Sequence, residues 1–123
     1  MANKIEVRAK NLSELFETMT FTLFENCLGE TVTQKTTEER EIKVHAVDEN
    51  SLLYEWLNAF LKIADEQGLV PQEINVLEMN DREIVAQVKL KKEEKISCFP
   101  SAISADISIK KTRSGFLARV QWE

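Results

Sequence analysis

Hydrophobic and polar positions follow two periods along this chain. In "IEVRA", Ile5, Val7 and Ala9 alternate with charged residues, which is the two-residue period of a strand. "NLSELFETMTFTLFENCLG" shifts to a helical period. At about 100° per residue, Leu12, Leu15, Phe16, Met19, Leu23 and Cys27 form one stripe, and Phe21, Phe24 and Leu28 form a second on nearly the opposite side. Asn11 with Glu14 three residues on reads as a capping box, and Gly29 as a helix stop. "ETVTQKTTEER" is polar and without strong pattern. "EIKVHAV" then alternates Ile42, Val44 and Ala46 against Lys43 and His45, a second strand.

"SLLYEWLNAFLKIADEQGLVP" contains the longest apolar run. Its polar residues Glu55, Asn58, Lys62, Asp65 and Glu66 make one narrow solvent stripe. Leu52, Trp56, Ala59 and Ile63 line one flank; Leu53, Leu57, Phe60, Leu61 and Ala64 line the next. The apolar arc spans roughly 200°, about twice that of an ordinary surface helix. Asp48, Asn50 or Ser51 caps its start and Gly68 ends it. Beyond Gly68 the pattern is strand throughout. "EINVLEM" and "EIVAQVKL" flank the turn "NDR", and "AISADISIKK" and "FLARVQW" flank "TRSG", where Gly115 readily supplies a positive φ. "KKEEKISCFP" reads as a charged loop between the two hairpins. The predicted order is β-α-β-α-β-β-β-β in the α+β class. Helices greasy on two flanks need covering on two sides, so the expected architecture is a three-layer β/α/β sandwich. No repeat or linker divides it, so one domain is expected over residues 1–123.

Composition narrows the class without naming an activity. With 43% hydrophobic and 30% charged residues, the chain is neither disordered nor low-complexity. No apolar run approaches the ~18 residues of a membrane span, and "MANKIEVRAK" has no apolar signal region, so a soluble, unsecreted, cytoplasmic protein is expected. Cys27 and Cys98 lack C-x-x-C spacing, which favours free thiols over a zinc or redox site. The net charge of −5 hides an asymmetry: residues 1–81 hold 7 basic and 16 acidic side chains, residues 82–123 hold 9 and 5. Lys89, Lys91, Lys92, Lys95, Lys110, Lys111, Arg113 and Arg119 could form a patch for RNA or an acidic partner. The alternative, solvated strand faces and guarded edges, is favoured because "KLKKEEK" mixes signs and no aromatics interleave the bases.

No residue constellation carries catalysis by itself. His45, the only histidine, falls on the polar face of a strand and reads as a surface residue. No serine or cysteine motif accompanies it. The carboxylates of "TTEERE" read as the solvated start of a strand, Asp48 as a cap rather than a metal ligand, and Tyr54 and Trp56 as rim and core. Three glycines leave no phosphate loop. The residues describe a binding or structural domain, not an enzyme; no catalytic residue is assigned.

"SLLYEWLNAFLKIADEQGLV" resembles the central helix of the archease family, in which Ser-Leu-Leu-Tyr-Asp-Trp-Leu precedes a second apolar turn and an "EGL"-type ending. The acidic turn in "IKVHAVDEN" is similar to the one that introduces that helix, and "LSELFETMTFTLFE" to the family's first helix. "AISADISIKKTRSGFLARVQWE" resembles the closing hairpin in pattern. The resemblance implies the same strand–helix–strand–helix–four-strand fold. It implies an accessory protein or chaperone for a tRNA-splicing RNA ligase of the RtcB type, promoting its guanylylation and turnover; a tRNA methyltransferase is another client described for the family. The family binds a divalent cation such as calcium through an N-terminal Asp-His-Thr-Ala-Asp stretch, a Lys-Ala-Val-Thr-Tyr-His stretch and a C-terminal aspartate. Here "MANK" stands at the first, and "SAISAD", with Ser101 or Ser104 for the lysine and no histidine, at the second. Glu123 stands near the third, at most a remnant. A hard cation needs several converging oxygens, so no cofactor or metal is expected. The expected partner is a protein, an RNA ligase or another RNA-processing enzyme, with no tight independent nucleic-acid binding and no membrane. An archease-fold protein-binding module of unrelated role is the alternative.

Overall fold

Two short polar side chains start the helices. Asn11 Oδ1 accepts the backbone N–H of Glu14 at 2.9 Å, opening α1 (Leu12–Leu28). Asp48 Oδ1 accepts the N–H of Ser51 at 2.8 Å, opening α2 (Glu49–Gln67) and deciding the cap among the three candidates. At the other end of α2, Gly68 adopts φ 67° and donates its N–H to Ala64 O at 3.0 Å, a left-handed stop that glycine enters without strain. The computed structural model describes residues 3–28, 38–92 and 106–122. The predicted stop at Gly29, the polar stretch after it, Cys98, Ser101, Ser104 and Glu123 lie outside these, as do the side chains of Cys27 and Leu28.

Six strands complete the order: β1 (Asn3–Ala9), β2 (Glu38–His45), β3 (Leu69–Met79), β4 (Glu83–Lys92), β5 (Ile107–Thr112) and β6 (Gly115–Trp122). They form two antiparallel sheets, β1-β6-β5 and β2-β4-β3. α1 packs on β1 and β6 of the first sheet and on β3 of the second; α2 packs on β5 of the first and on β2 and β3 of the second. The helices therefore lie between the sheets, as the doubled apolar arcs required. Between them, Phe16 of α1 and Phe60 of α2 both contact Trp56, with ring centroids at 6.4 and 4.7 Å, the latter edge-on. The polar core contact is Thr20, fully buried on α1. Its hydroxyl donates to Phe16 O at 2.6 Å and accepts the Trp56 Nε1–H at 2.7 Å.

Burial corrects the helix pattern in detail. Leu52, Leu53, Trp56, Leu57, Phe60, Leu61 and Ala64 are buried, but Ala59 and Ile63 are half-buried and so is Asn58. The covered arc takes in the whole second flank but only Leu52 and Trp56 of the first. On α1, Leu15, Phe16, Met19, Leu23 and Phe24 are buried, while Leu12 and Phe21 are half-covered.

Strand bounds also shift. β2 starts at Glu38 and stops at His45, so Ala46 and the exposed Val47 lie beyond it. β3 begins at Leu69 and carries Pro71, which a strand at a sheet edge tolerates. Register shifts between Pro71 and Glu73, and between Val76 and Glu78, mark bulges. Leu77, 54% exposed, keeps the outward parity of Glu73 and Asn75; the second bulge leaves Glu78 exposed as well and returns Met79 to the core side. β4 takes in Lys91 and Lys92, which the sequence suggested were loop. As the central strand it buries Ile84, Ala86, Val88 and Leu90 completely. In the β5–β6 hairpin, Gly115 has φ 150°, and a Cβ there would lie 2.1 Å from Ala9 O; the backbone of β1 passes too close for any side chain.

Candidate functional site

His45 closes β2 directly opposite Glu83 of β4. Its Nε2 lies 2.7 Å from Glu83 Oε2, and its side chain is 73% exposed. It borders an open depression whose other walls are Lys43, Val44, Glu55, Asn58, Ala59 and Lys62, none of them a serine or cysteine. The carboxylates of the "TTEERE" stretch that are described lie on β2. There Glu38 pairs with Arg40, which also donates to Gln67 Oε1 at 3.0 Å, and Glu39 accepts from Gln87 at 3.3 Å. Asp48 is spent on its helix cap, and the Ser51 N–H that it accepts holds its carboxyl below the usual carboxylate range. Tyr54 is at the rim, 37% exposed, and Trp56 is core. Among the described residues, no three histidine, cysteine or carboxylate side chains converge as cation ligands would.

β1 and β6 pair along their whole length, with Asn3 opposite Trp122 and Lys4 opposite Gln121. The pairing brings the two ends of the chain side by side, where the family resemblance draws N-terminal and C-terminal cation ligands together. At this end β1 holds an amide residue and an ammonium; Lys4 Nζ lies 3.4 Å from Glu6.

The outward faces of the two sheets differ in charge. On β2-β4-β3 the signs interleave: Glu39 and Lys89 stand opposite each other, Glu73 stands opposite Lys89 on the other side, and Lys89 Nζ reaches Glu73 at 3.2 Å. On β1-β6-β5 two cross-strand rows run across the sheet. One is Glu6–Arg119–Ser108 and the other Arg8–Leu117–Lys110. Arg119 Nη2 lies 2.7 Å from Glu6, and the two cations beside Glu6, Arg119 foremost, hold its carboxyl below the usual range. Lys4, Arg8, Lys110 and Arg119 are all exposed, and Arg8 and Lys110 have no ion-pair partner among the described residues. Ser108, Lys110, Leu117 and Arg119 line a shallow depression. Reading bases by their place in the sequence missed this face. Lys89, Lys91 and Lys92 belong to the other sheet, while Lys4 and Arg8 join Lys110 and Arg119 only through the pairing of the first strand with the last. Alternation in β1 showed that Arg8 points away from the core; nothing local showed its neighbour.

The family model of the Archease protein family matches residues 3–120. A solved structure of an archease described as a possible chaperone, from Thermotoga maritima, superposes with a TM-score of 0.58. It is 18% identical, and the match covers 98% of this chain and 86% of that one. No curated protein matches.

Proposed function

The chain belongs to the archease family, and from that membership we propose that it is an accessory protein of an RNA-processing enzyme, a tRNA-splicing RNA ligase of the RtcB type, acting by protein contact. The observation that carries the reading is the family match over residues 3–120. It is supported by the description of the Thermotoga maritima archease as a possible chaperone, and by polar side chains that are engaged in caps and cross-strand pairs.

The family's divalent cation has no part in this proposal, because the donors on the chain do not suit it. A hard dication wants six to eight oxygens, several of them anionic. Where the family places aspartates, this chain has Asn3 beside Lys4, and the ammonium opposes a second positive charge. Serines stand at the second motif, and Glu123 alone matches the third in charge. The same substitutions favour a second reading, a protein-binding module whose client is not an RNA ligase.

Multiple-turnover RNA ligation by the ligase from the same cell, with and without this protein, tests the first reading. Substoichiometric amounts should raise turnover, and the two proteins should co-elute on size exclusion. Unchanged turnover together with separate elution would overturn the ligase assignment and leave the second reading.

A further inference from the structure

We propose that the outer face of the β1-β6-β5 sheet is a docking surface for an acidic protein segment, whose carboxylates meet Arg8 and Lys110 and whose apolar side chain seats on Leu117. The proposal deepens the accessory-protein reading, on which it rests for the existence of a protein partner.

Charge is the first argument. The chain carries a net charge of −5, yet among the described residues the paired rows of this face and their margin show four cations, Lys4, Arg8, Lys110 and Arg119, against Glu6 and, at the rim beside Gln121, Asp106. The acidic excess therefore lies elsewhere on the molecule. A face of this sign on an acidic protein steers an acidic partner toward one side. The opposite sheet is no equivalent, because Glu39, Glu41, Glu73 and Glu78 alternate there with Lys43 and Lys89.

Arrangement is the second argument. Leu117 is directly opposite Arg8 on one side and Lys110 on the other. With strands about 4.8 Å apart, the two cations flank the leucine across about 10 Å. Leu117 is half-buried and lies in the depression formed with Ser108, Lys110 and Arg119. A central apolar contact ringed by cations is the complement of an acidic segment with one apolar anchor. The strands fix the backbone spacing, so the ordering cost of docking on this side falls on the Arg8 and Lys110 side chains and not on the main chain.

The same features disfavour nucleic acid. No aromatic side chain stands in either cross-strand row, so bases have nothing to stack on. Arg119 and Lys4 are already drawn to Glu6. A handful of phosphate contacts by the remaining bases gives only non-specific affinity, in the ~10⁻⁴–10⁻⁶ M range.

The test uses fluorescence anisotropy with a labelled synthetic peptide of alternating glutamate and leucine, and separately with single- and double-stranded RNA oligonucleotides. Arg8→Glu with Lys110→Glu should weaken peptide binding at least tenfold. The matched reversal Lys43→Glu with Lys62→Glu, on the β2–α2 side, should change it less than twofold. Leu117→Ser should weaken it severalfold at high salt, where charge is screened. If thermal melts show the reversed pair to be unfolded, Arg8→Ala with Lys110→Ala replaces it. Equal weakening by the two reversals, absence of peptide binding, or tighter binding of RNA than of peptide through Arg8 and Lys110 each overturns the proposal. The ligation assay separates the two readings. If the unaltered protein stimulates the ligase and the reversed pair does so equally, the face is wrong and the function stands. If the unaltered protein leaves the ligase unchanged but binds peptide through this face, the ligase assignment fails and the face stands.

Discussion

At the scale of single residues, the contact that sequence alone hid is the hydroxyl of Thr20. Thr20 belongs to neither of the two apolar stripes read on α1, yet it is fully buried. The β-branched side chain bonds its own helix at Phe16 O, and its oxygen still has a lone pair for the Trp56 indole. Thr20→Val keeps the shape and leaves that indole N–H without its acceptor. The expected cost is about 1–3 kcal/mol, read from denaturant unfolding. Serine at the same site should recover a large part of it, which a pure packing role for the methyl group would not allow. Glu17, on the same helix, titrates in the other sense. Partial burial raises its pKa, and the nearby Glu14 and Glu73 add to the rise. Because the folded-state value is the higher one, stability is undiminished below the ordinary carboxylate range and falls as pH rises through the raised value. Glu17→Gln should therefore raise the melting temperature at neutral pH, and the gain should vanish in melts run below the ordinary range.

At the scale of elements, period was the most legible signal because burial in this fold is decided face by face. The apolar arc of α2 correctly required two covering surfaces, and Asp48 and Gly68 bounded it as short-range capping chemistry dictates. Which flank is covered more deeply was not legible, since that depends on how the helix rolls against β2, β3 and β5. The difference is measurable. Leu57 is completely buried and Ile63 half-buried. Leu57→Ala should cost roughly 2–5 kcal/mol, and Ile63→Ala clearly less in the same denaturation series. Strand ends were misjudged for a related reason. Lys91 and Lys92 look like loop residues by charge, but β3 reaches them, with Val70 and Leu69 opposite. Pairing across a sheet, not local propensity, decides how far a strand runs.

At the scale of the whole molecule, the layer order could be read from the sequence but the arrangement of its surfaces could not. Sheet membership scatters the C-terminal bases and gathers Arg8 with Lys110 around Leu117, a neighbourhood set by strand order alone. The cation question also belongs here, because it turns on what the two chain ends bring together. Isothermal titration with calcium or magnesium at millimolar concentration should show negligible heat. A micromolar one-to-one isotherm that disappears in Glu123→Ala would instead restore the family's metal chemistry. The pairing of β1 with β6 has a further, kinetic consequence. Glu6 must find Arg119 across 113 residues of chain, and closing so long a loop gains nothing until both strands are in place. The β3–β4 hairpin, by contrast, joins neighbours through a turn that Asn80 Oδ1 braces by accepting the N–H groups of Arg82 and Glu83 at 2.8 and 2.9 Å. The order expected from these separations is that β1 stays unpaired until β6 is available, so the β1-β6-β5 sheet closes after β2-β4-β3. Pulse-labelling of amides during refolding should find Val7 protected later than Val88.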